Sequence, residues 1–291
     1  MNSSEFNRGL GLTALGSFWW GVIAVIYFEY ISYIGHIEVV LHRVMWTSLL
    51  LIITTSYFSK WNIFFKIISN TKNLITLFFS GLLIFTNWTA WIYAVSSSQI
   101  INASFGYFIM PILSVFLGYF FFKEKLNTKR IISIGLVLIS IFFLLLFNFQ
   151  SIPWVGLIVA LSWGFYNLLR KMINVDTDVG LLIESLFILP FAVVAFYIIT
   201  INGFSDFGIS NLSLSLLLLL AGPMTVIPLF LYVRGVELCG LGPSGMVFYI
   251  APTFQFILGY FYYNEPFSVI KLASFTLIWI AVIIYLKDLN E

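Results

Sequence analysis

Two ionisable side chains stand inside long apolar stretches of this sequence, Arg43 in HIEVVLHRVMWTSLLLII and Glu184 in VGLLIESLFILPFAVVAF. A guanidinium is fit to hold a carboxylate or phosphate, and a carboxylate to hold an amine or carry a proton. Within an apolar span either charge is expensive unless it is paired or faces water, so each reads first as a functional group. His42 adds a second polar group beside Arg43, which a lipid-facing surface would not select. The plainer reading is that Arg43 snorkels to one layer of headgroups with Glu38 nearby, and Glu184 does likewise at the other.

Aromatic and amide side chains accompany these charges. Asn87 with Trp88 and Trp91, Tyr107, Trp163 with Tyr166 and Asn167, and Tyr249 fall in the more polar parts of apolar segments. Such faces suit a cavity that stacks a flat or amphipathic solute; the alternative for each is an anchor at the water interface. Pro111 and Pro252 each remove one helical hydrogen bond and should bend their segments, as paired gate elements or as static kinks. Arg234 and Glu237, three residues apart, suggest an ion pair on a helix surface. Glu124 and Glu265 lie between segments, where a carboxylate complements the positive end of the following helix. Gly118 and Gly259 are expected to permit close helix packing.

Catalytic signatures are absent from the sequence. It has no His-Glu-x-x-His, no Gly-x-Ser-x-Gly and no glycine-rich phosphate loop followed by lysine. Asp176 and Asp178 are too little for a metal-dependent transferase, and two histidines with one cysteine cannot build a transition-metal site alone. No enzyme activity and no cofactor is expected.

The elements that must position these residues follow from composition. With 61% hydrophobic and 9% charged residues and a mean hydropathy of +1.03, the chain cannot cover a soluble surface, where about a quarter of residues are charged. A membrane helix needs about 20 apolar residues, and ten such segments fit: 10–28, 38–58, 74–96, 101–122, 130–148, 153–172, 179–201, 213–238, 244–263 and 269–286. The longest polar gap, Ser59 to Asn73, leaves no room for a soluble catalytic or nucleic-acid-binding domain. Runs such as Ile131 to Phe147 do not alternate apolar with polar residues, which argues against a β-barrel. The first segment contains Trp19 and Trp20 and lacks a small-residue cleavage site, so it reads as a helix rather than a leader. Cys239 is the sole cysteine and cannot form an internal disulfide.

FIMPILSVFLGYFFFKEK at 108–125 and YIAPTFQFILGYFYYNEP at 249–266 share seven of eighteen positions, where chance would give roughly one or two. The chain therefore reads as a duplication, with five-helix repeats at 1–148 and 149–291. Trp20-Gly21 echoes Trp163-Gly164, and the Arg43–Trp46 stretch echoes Glu184–Phe187. Such a repeat would bring Arg43 and Glu184 to opposite walls of one cavity. Lys and Arg gather after the second, fourth, sixth and tenth segments, which by the positive-inside bias puts both termini in the cytoplasm. Five helices per half then force the second half to enter upside down, and the charges agree: KEKLNTKR after the fourth segment has four positives, NEPFSVIK after the ninth has one. This is an inverted-topology repeat, the design that permits alternating access.

The motifs resemble a known family. The Trp-Gly pairs, and Gly118-Tyr-Phe-Phe-Phe-Lys-Glu124 before a helix containing Gly135, are similar to the EamA repeats of the drug/metabolite transporter superfamily. His42-Arg43-Val-Met-Trp46, Asn87-Trp88, Tyr107-Phe-Ile-Met-Pro111, Phe165-Tyr166-Asn-Leu-Leu-Arg170-Lys171 and Tyr249-Ile-Ala-Pro252 resemble its RarD branch, named for a chloramphenicol-sensitivity phenotype. Met110 departs from it, since asparagine is expected before the proline.

The resemblance implies a multi-pass transporter of a bacterial inner membrane. It would export or exchange a small organic metabolite or drug-like solute by alternating access; without an ATP-binding domain a gradient must drive it, and Glu184 would bind an amine or carry a coupled proton. A channel or passive facilitator is the rival reading. His42, Arg43, Trp46 and Glu184 with the aromatic and amide residues above form the expected substrate and coupling site. The lipid bilayer is the expected partner, nucleic acid is not, and oligomeric state is left open.

The charge pattern makes one direct prediction. After Cys239 is replaced, single cysteines at Thr128 and Ser268 should differ in intact cells: a membrane-impermeant thiol reagent modifies only the second. Equal modification of both would contradict the inverted arrangement.

Overall fold

The computed structural model describes residues 3–97, 100–148, 154–173, 175–262 and 269–289, with the side chains of 95, 96, 100–105, 148 and 259 left aside. Glu265 lies outside the described residues. The described chain is helical from end to end. It begins with α1 (Ser3–Gly21), α2 (Ile23–Tyr30), α3 (His36–Tyr57), α4 (Trp61–Ile68) and α5 (Thr71–Ser96). It continues with α6 (Ile100–Phe122), α7 (Thr128–Asn148), α8 (Trp154–Met172) and α9 (Thr177–Ile201). After one 3-10 turn come α10 (Leu212–Leu219), α11 (Ala221–Cys239), α12 (Leu241–Val247), α13 (Ile250–Phe261) and α14 (Val269–Leu289).

Eight helical stretches among the described residues are long and apolar enough to cross a membrane, and Gly106–Phe122 is a shorter apolar one. Helix α8 falls outside that set although it has 19 residues. It carries Asn167, Arg170 and Lys171, and most of it is buried against protein, so it has less need of an apolar surface. Peripheral helices show the opposite: Leu138, Phe142 and Phe147 of α7 and Phe191, Val194 and Tyr197 of α9 are exposed, a surface that requires lipid.

Three expected segments are broken. The first divides at Val22 into α1 and α2, the eighth at Leu220 into α10 and α11, and the ninth at Phe248 and Tyr249 into α12 and α13. Pro111 sits inside α6, as expected. Pro252 does not sit in mid-helix: it is the third residue of α13, where the backbone N–H it lacks has no intrahelical acceptor in any case. The polar gap after α3 holds α4, whose Trp61 and Phe64 pack on the core while Phe65 is exposed.

The main helix pairings all join the first half of the chain to the second: α1 with α11, α3 with α9, α5 with α8, α6 with α8 and α12, and α7 with α14. Small residues let these helices close up. A Cβ at Gly16 would stand 2.9 Å from the Pro228 carbonyl, and one at Gly222 2.7 Å from the Trp46 carbonyl. Buried serines then bond across: Ser133 donates to the Ala281 carbonyl at 2.6 Å and Ser140 to that of Ser274 at 2.9 Å.

Glu124 takes part in the same stitching, which corrects the expectation that it caps the helix following it. Its carboxylate accepts from the Leu241 and Gly242 N–H groups, each at 2.8 Å, so it caps α12 of the other half. Gly118 makes room for it, since a Cβ there would meet the carboxylate. Gly240 enters the helix at φ +99°, a conformation costly for any other residue. Replacing Glu124 with Ala should therefore cost about 2 kcal/mol and lower the temperature at which a thiol-reactive dye reaches the buried Cys239. An unchanged midpoint would show that the cap carries no load.

Candidate functional site

A small cavity lies between the two halves of the bundle, lined by Trp20, Ala24, Phe28, Arg43, Asn87, Trp88, Trp91, Tyr107, Trp163 and Phe248. Helix α3 supplies Arg43, which is 5% exposed. Its Nε donates to Thr225 Oγ1 at 3.2 Å, and its guanidinium carbon lies 4.6 Å from the Phe28 ring centre and 4.8 Å from that of Trp88. Trp20 meets Trp163 edge to face at 4.9 Å, and Tyr107 leans on Phe248 at 5.7 Å. Asn87 commits its amide hydrogens to the Val159 carbonyl at 3.0 Å and Ser162 Oγ at 3.1 Å.

Among the described residues no carboxylate forms an ion pair with Arg43, and none lines the cavity. Ring faces offset part of the cost of that charge, by up to about 2 kcal/mol, whereas burying an ion costs several kcal/mol. Protein groups therefore answer only part of the Arg43 charge. The cavity volume is about 50 Å³, room for about three waters, so an organic solute requires the walls to move.

Glu184 is not on the opposite wall of this cavity, contrary to the expectation from the repeat. It lines a separate narrow space with Val44, Leu51 and Leu229, and Trp88 borders both. Its partner is another arginine: Arg170 Nη1 stands 3.5 Å from Glu184 Oε1, with both side chains at most 2% exposed. That contact is an ion pair without a hydrogen bond; the donors to Glu184 are Ser80 Oγ and the Tyr166 hydroxyl, at 2.5 and 3.2 Å. Arg170 reaches on to Glu237 at 3.8 Å and donates to the Thr177 carbonyl at 3.2 Å. Glu237 in turn accepts from Thr177 Oγ1 at 2.8 Å and pairs with Arg234 at 2.9 Å. The expected Arg234–Glu237 pair is thus present but is the rim of a larger cluster joining α5, α8, α9 and α11. Gly180 leaves space for Arg170, because a Cβ there would overlap the guanidinium.

The remaining expected residues go elsewhere. His42 accepts from Trp46 Nε1 at 2.9 Å and meets the Phe207 ring at a tilt at 4.8 Å, away from the cavity lining. Asn167 donates back to the Trp163 carbonyl at 2.9 Å, and the Tyr249 hydroxyl bonds the Phe108 carbonyl at 2.8 Å within a different part of the core. Glu38 does not accompany Arg43. It is buried and accepts from Ser205 Oγ at 2.6 Å and from the Asp206 and Phe207 N–H groups at 3.0 and 3.2 Å, holding the loop before α10.

At the opposite end Lys60 clasps Asp176 at 3.1 Å and Asp178 at 2.8 Å. Burial works against the Lys60 charge, yet its bonds to the two aspartates outweigh it and hold its pKa above the ordinary lysine value. Asp176 is pushed up, first by its hydrogen bond with Asp178 and then by burial. These carboxylates form a clasp, and no group of three potential metal ligands occurs among the described residues.

Of the expected site residues, Arg43, Asn87, Trp88, Trp91, Tyr107 and Trp163 therefore share one cavity, while Tyr166 and Glu184 share the arginine cluster. Sequence reasoning missed Trp20, Phe28 and Phe248 in the lining and Ser80, Arg170 and Glu237 in the cluster. Arg170 had a usable signal: it lies four residues after Tyr166, on the same helix face.

The sequence profile of the EamA-like transporter family matches residues 7–146. The chain is 32% identical to Protein RarD of Escherichia coli (strain K12), across 99% of this chain and 97% of that protein. It is 31% identical to the Uncharacterized transporter YojE of Bacillus subtilis (strain 168), across 98% of this chain and 95% of that protein. A crystal structure with 13% sequence identity superposes with a TM-score of 0.70, covering 96% of this chain and 97% of that one, a likeness of fold alone.

The arginine cluster makes a prediction about stability. Arg170→Gln should destabilise the protein by about 3 kcal/mol, because it leaves Glu184 buried without its cation, whereas Arg170→Met with Glu184→Leu should stay within about 1 kcal/mol of the parent. Equilibrium unfolding in dodecyl sulfate mixed micelles measures both. A double variant no more stable than Arg170→Gln would contradict the pairing.

Proposed function

This chain belongs to the RarD-type branch of the EamA-like transporter family, and on that premise we propose that it is a secondary transporter that exports or exchanges a small organic solute by alternating access. It is a multi-pass membrane protein. The observation that carries the proposal is Arg43, a buried cation with no carboxylate partner among the described residues, set in the wall of an aromatic cavity between the two halves.

The reading includes ten spans in two inverted repeats at 1–148 and 149–291, in a bacterial inner membrane with both termini cytoplasmic. The helix pairings support a two-fold relation. If α1 corresponds to α8, α3 to α9, α5 to α11, α6 to α12 and α13, and α7 to α14, then exchanging the halves converts the α1–α11 pairing into α8–α5 and the α6–α8 pairing into α13–α1, while α3–α9 and α7–α14 map onto themselves; all are present. Five helices per half then make the axis lie in the membrane plane.

In this reading Arg43 holds the anionic part of the solute and the surrounding rings hold its apolar part. From Trp163 to Arg170 is about 10 Å along α8, so the arginine cluster sits below the cavity on the side of the Lys60 clasp. It closes the cytoplasmic end. Protonating Glu184 cancels its attraction for Arg170 and releases α9 from α8, which would link one proton to the opening of that end. Pro111 and the break before Pro252 supply the bending points.

Vesicle transport tests this. With the solute that accumulates in the medium of overproducing cells, counterflow between preloaded vesicles should occur, and an open pore would give none. Glu184→Gln should keep counterflow and lose uphill movement driven by a pH gradient. Full pH-driven transport by that variant would contradict the coupling role.

A further inference from the structure

We infer that the solute held by this cavity is an aromatic monocarboxylate that carries no ammonium group; the inference rests on the transport reading and narrows it. The charged inventory of the lining is one guanidinium, from Arg43, and no carboxylate. Glu184, the group that would have received an amine, is enclosed elsewhere by Arg170, Ser80 and Tyr166. A cation entering the cavity meets a like charge with only ring faces and the Asn87 oxygen to offset it, and a zwitterion has its carboxylate satisfied but its ammonium left beside Arg43 without a carboxylate of its own. A single guanidinium balances a single negative charge, so a carboxylate fits and a phosphate dianion is left with one charge uncompensated.

The polar groups agree with this assignment. Arg43 spends Nε on Thr225, and among the described residues its terminal nitrogens have no protein acceptor, leaving the two-pronged edge that matches a carboxylate. Tyr107 also lines the cavity, and its phenol is a further donor. Asn87 turns its Nδ2 to the Val159 carbonyl and Ser162 Oγ, and its amide oxygen is an acceptor for a ring N–H or hydroxyl. Trp20, Trp163 and Phe248 give flat faces for the ring between these two poles.

Three indoles that share one ring separate the possibilities: indole-3-acetate, tryptamine and tryptophan. Binding of tritiated indole-3-acetate to the purified full-length protein should be saturable, and unlabelled tryptamine and tryptophan should compete about tenfold or more weakly than unlabelled indole-3-acetate. Arg43→Gln should weaken binding by about tenfold or more. The competition order on the unaltered protein stands even where that variant fails to fold. Equal competition by tryptamine or tryptophan, undiminished binding by a folded Arg43→Gln protein, or no saturable binding of indole-3-acetate would each overturn the inference. A preference for tryptamine with counterflow intact would remove the inference and leave transport standing, whereas absent counterflow removes the transport reading whichever indole binds.

Discussion

A guanidinium inside an apolar bundle must have its charge answered, and the two arginines buried here are answered in different ways. Arg170 is enclosed by Glu184, Glu237 and the Thr177 carbonyl. Arg43 has two ring faces and one hydroxyl. Low local dielectric makes this difference large, since an unpaired charge there is worth several kcal/mol. The first arginine therefore acts as a fastener among helices, and the second as an open demand for an anion.

The helices are arranged around that difference. Arg43 and Glu184 lie on α3 and α9, which pack against each other, yet Trp88 stands at the border between their spaces. Ties between the halves lie at both ends of the bundle: Glu38 on the loop before α10 at one end, and Lys60 on Asp176 and Asp178 with Glu124 on α12 at the other. Each is a local polar contact that joins one half to the other.

Much of this was legible in the sequence because apolar length, positive charge and repetition are properties of single segments. The transmembrane character follows from such signals, the family from the resemblance of short local motifs, and the aromatic residues near Arg43 from their place in the more polar parts of their segments. What escaped depends on which faces meet. Arg170 reads as a cytoplasmic charge from its place near the end of a helix, and only the approach of α9, with Gly180 leaving space, turns it into the partner of Glu184. Glu124 reads as a cap for its own hairpin, whereas the chain brings α12 of the other half to it. Tyr249 opens the second copy of the repeat, opposite Phe108 of the first, but its segment breaks beside it and sends the hydroxyl to the Phe108 carbonyl.

If the Arg170 cluster seals the cavity centred on Arg43 from the cytoplasm, access to that cavity from the cytoplasmic side depends on Arg170. Ala24 lines that cavity, so a cysteine placed there in a protein lacking Cys239 reports on access. The decisive measurement is its rate of modification by an anionic methanethiosulfonate applied from the cytoplasmic side of oriented vesicles. The account predicts slow modification in the parent and about tenfold faster modification when Arg170→Gln is added, a loss of closure of about 1.4 kcal/mol. The same rate with and without Arg170 would contradict it.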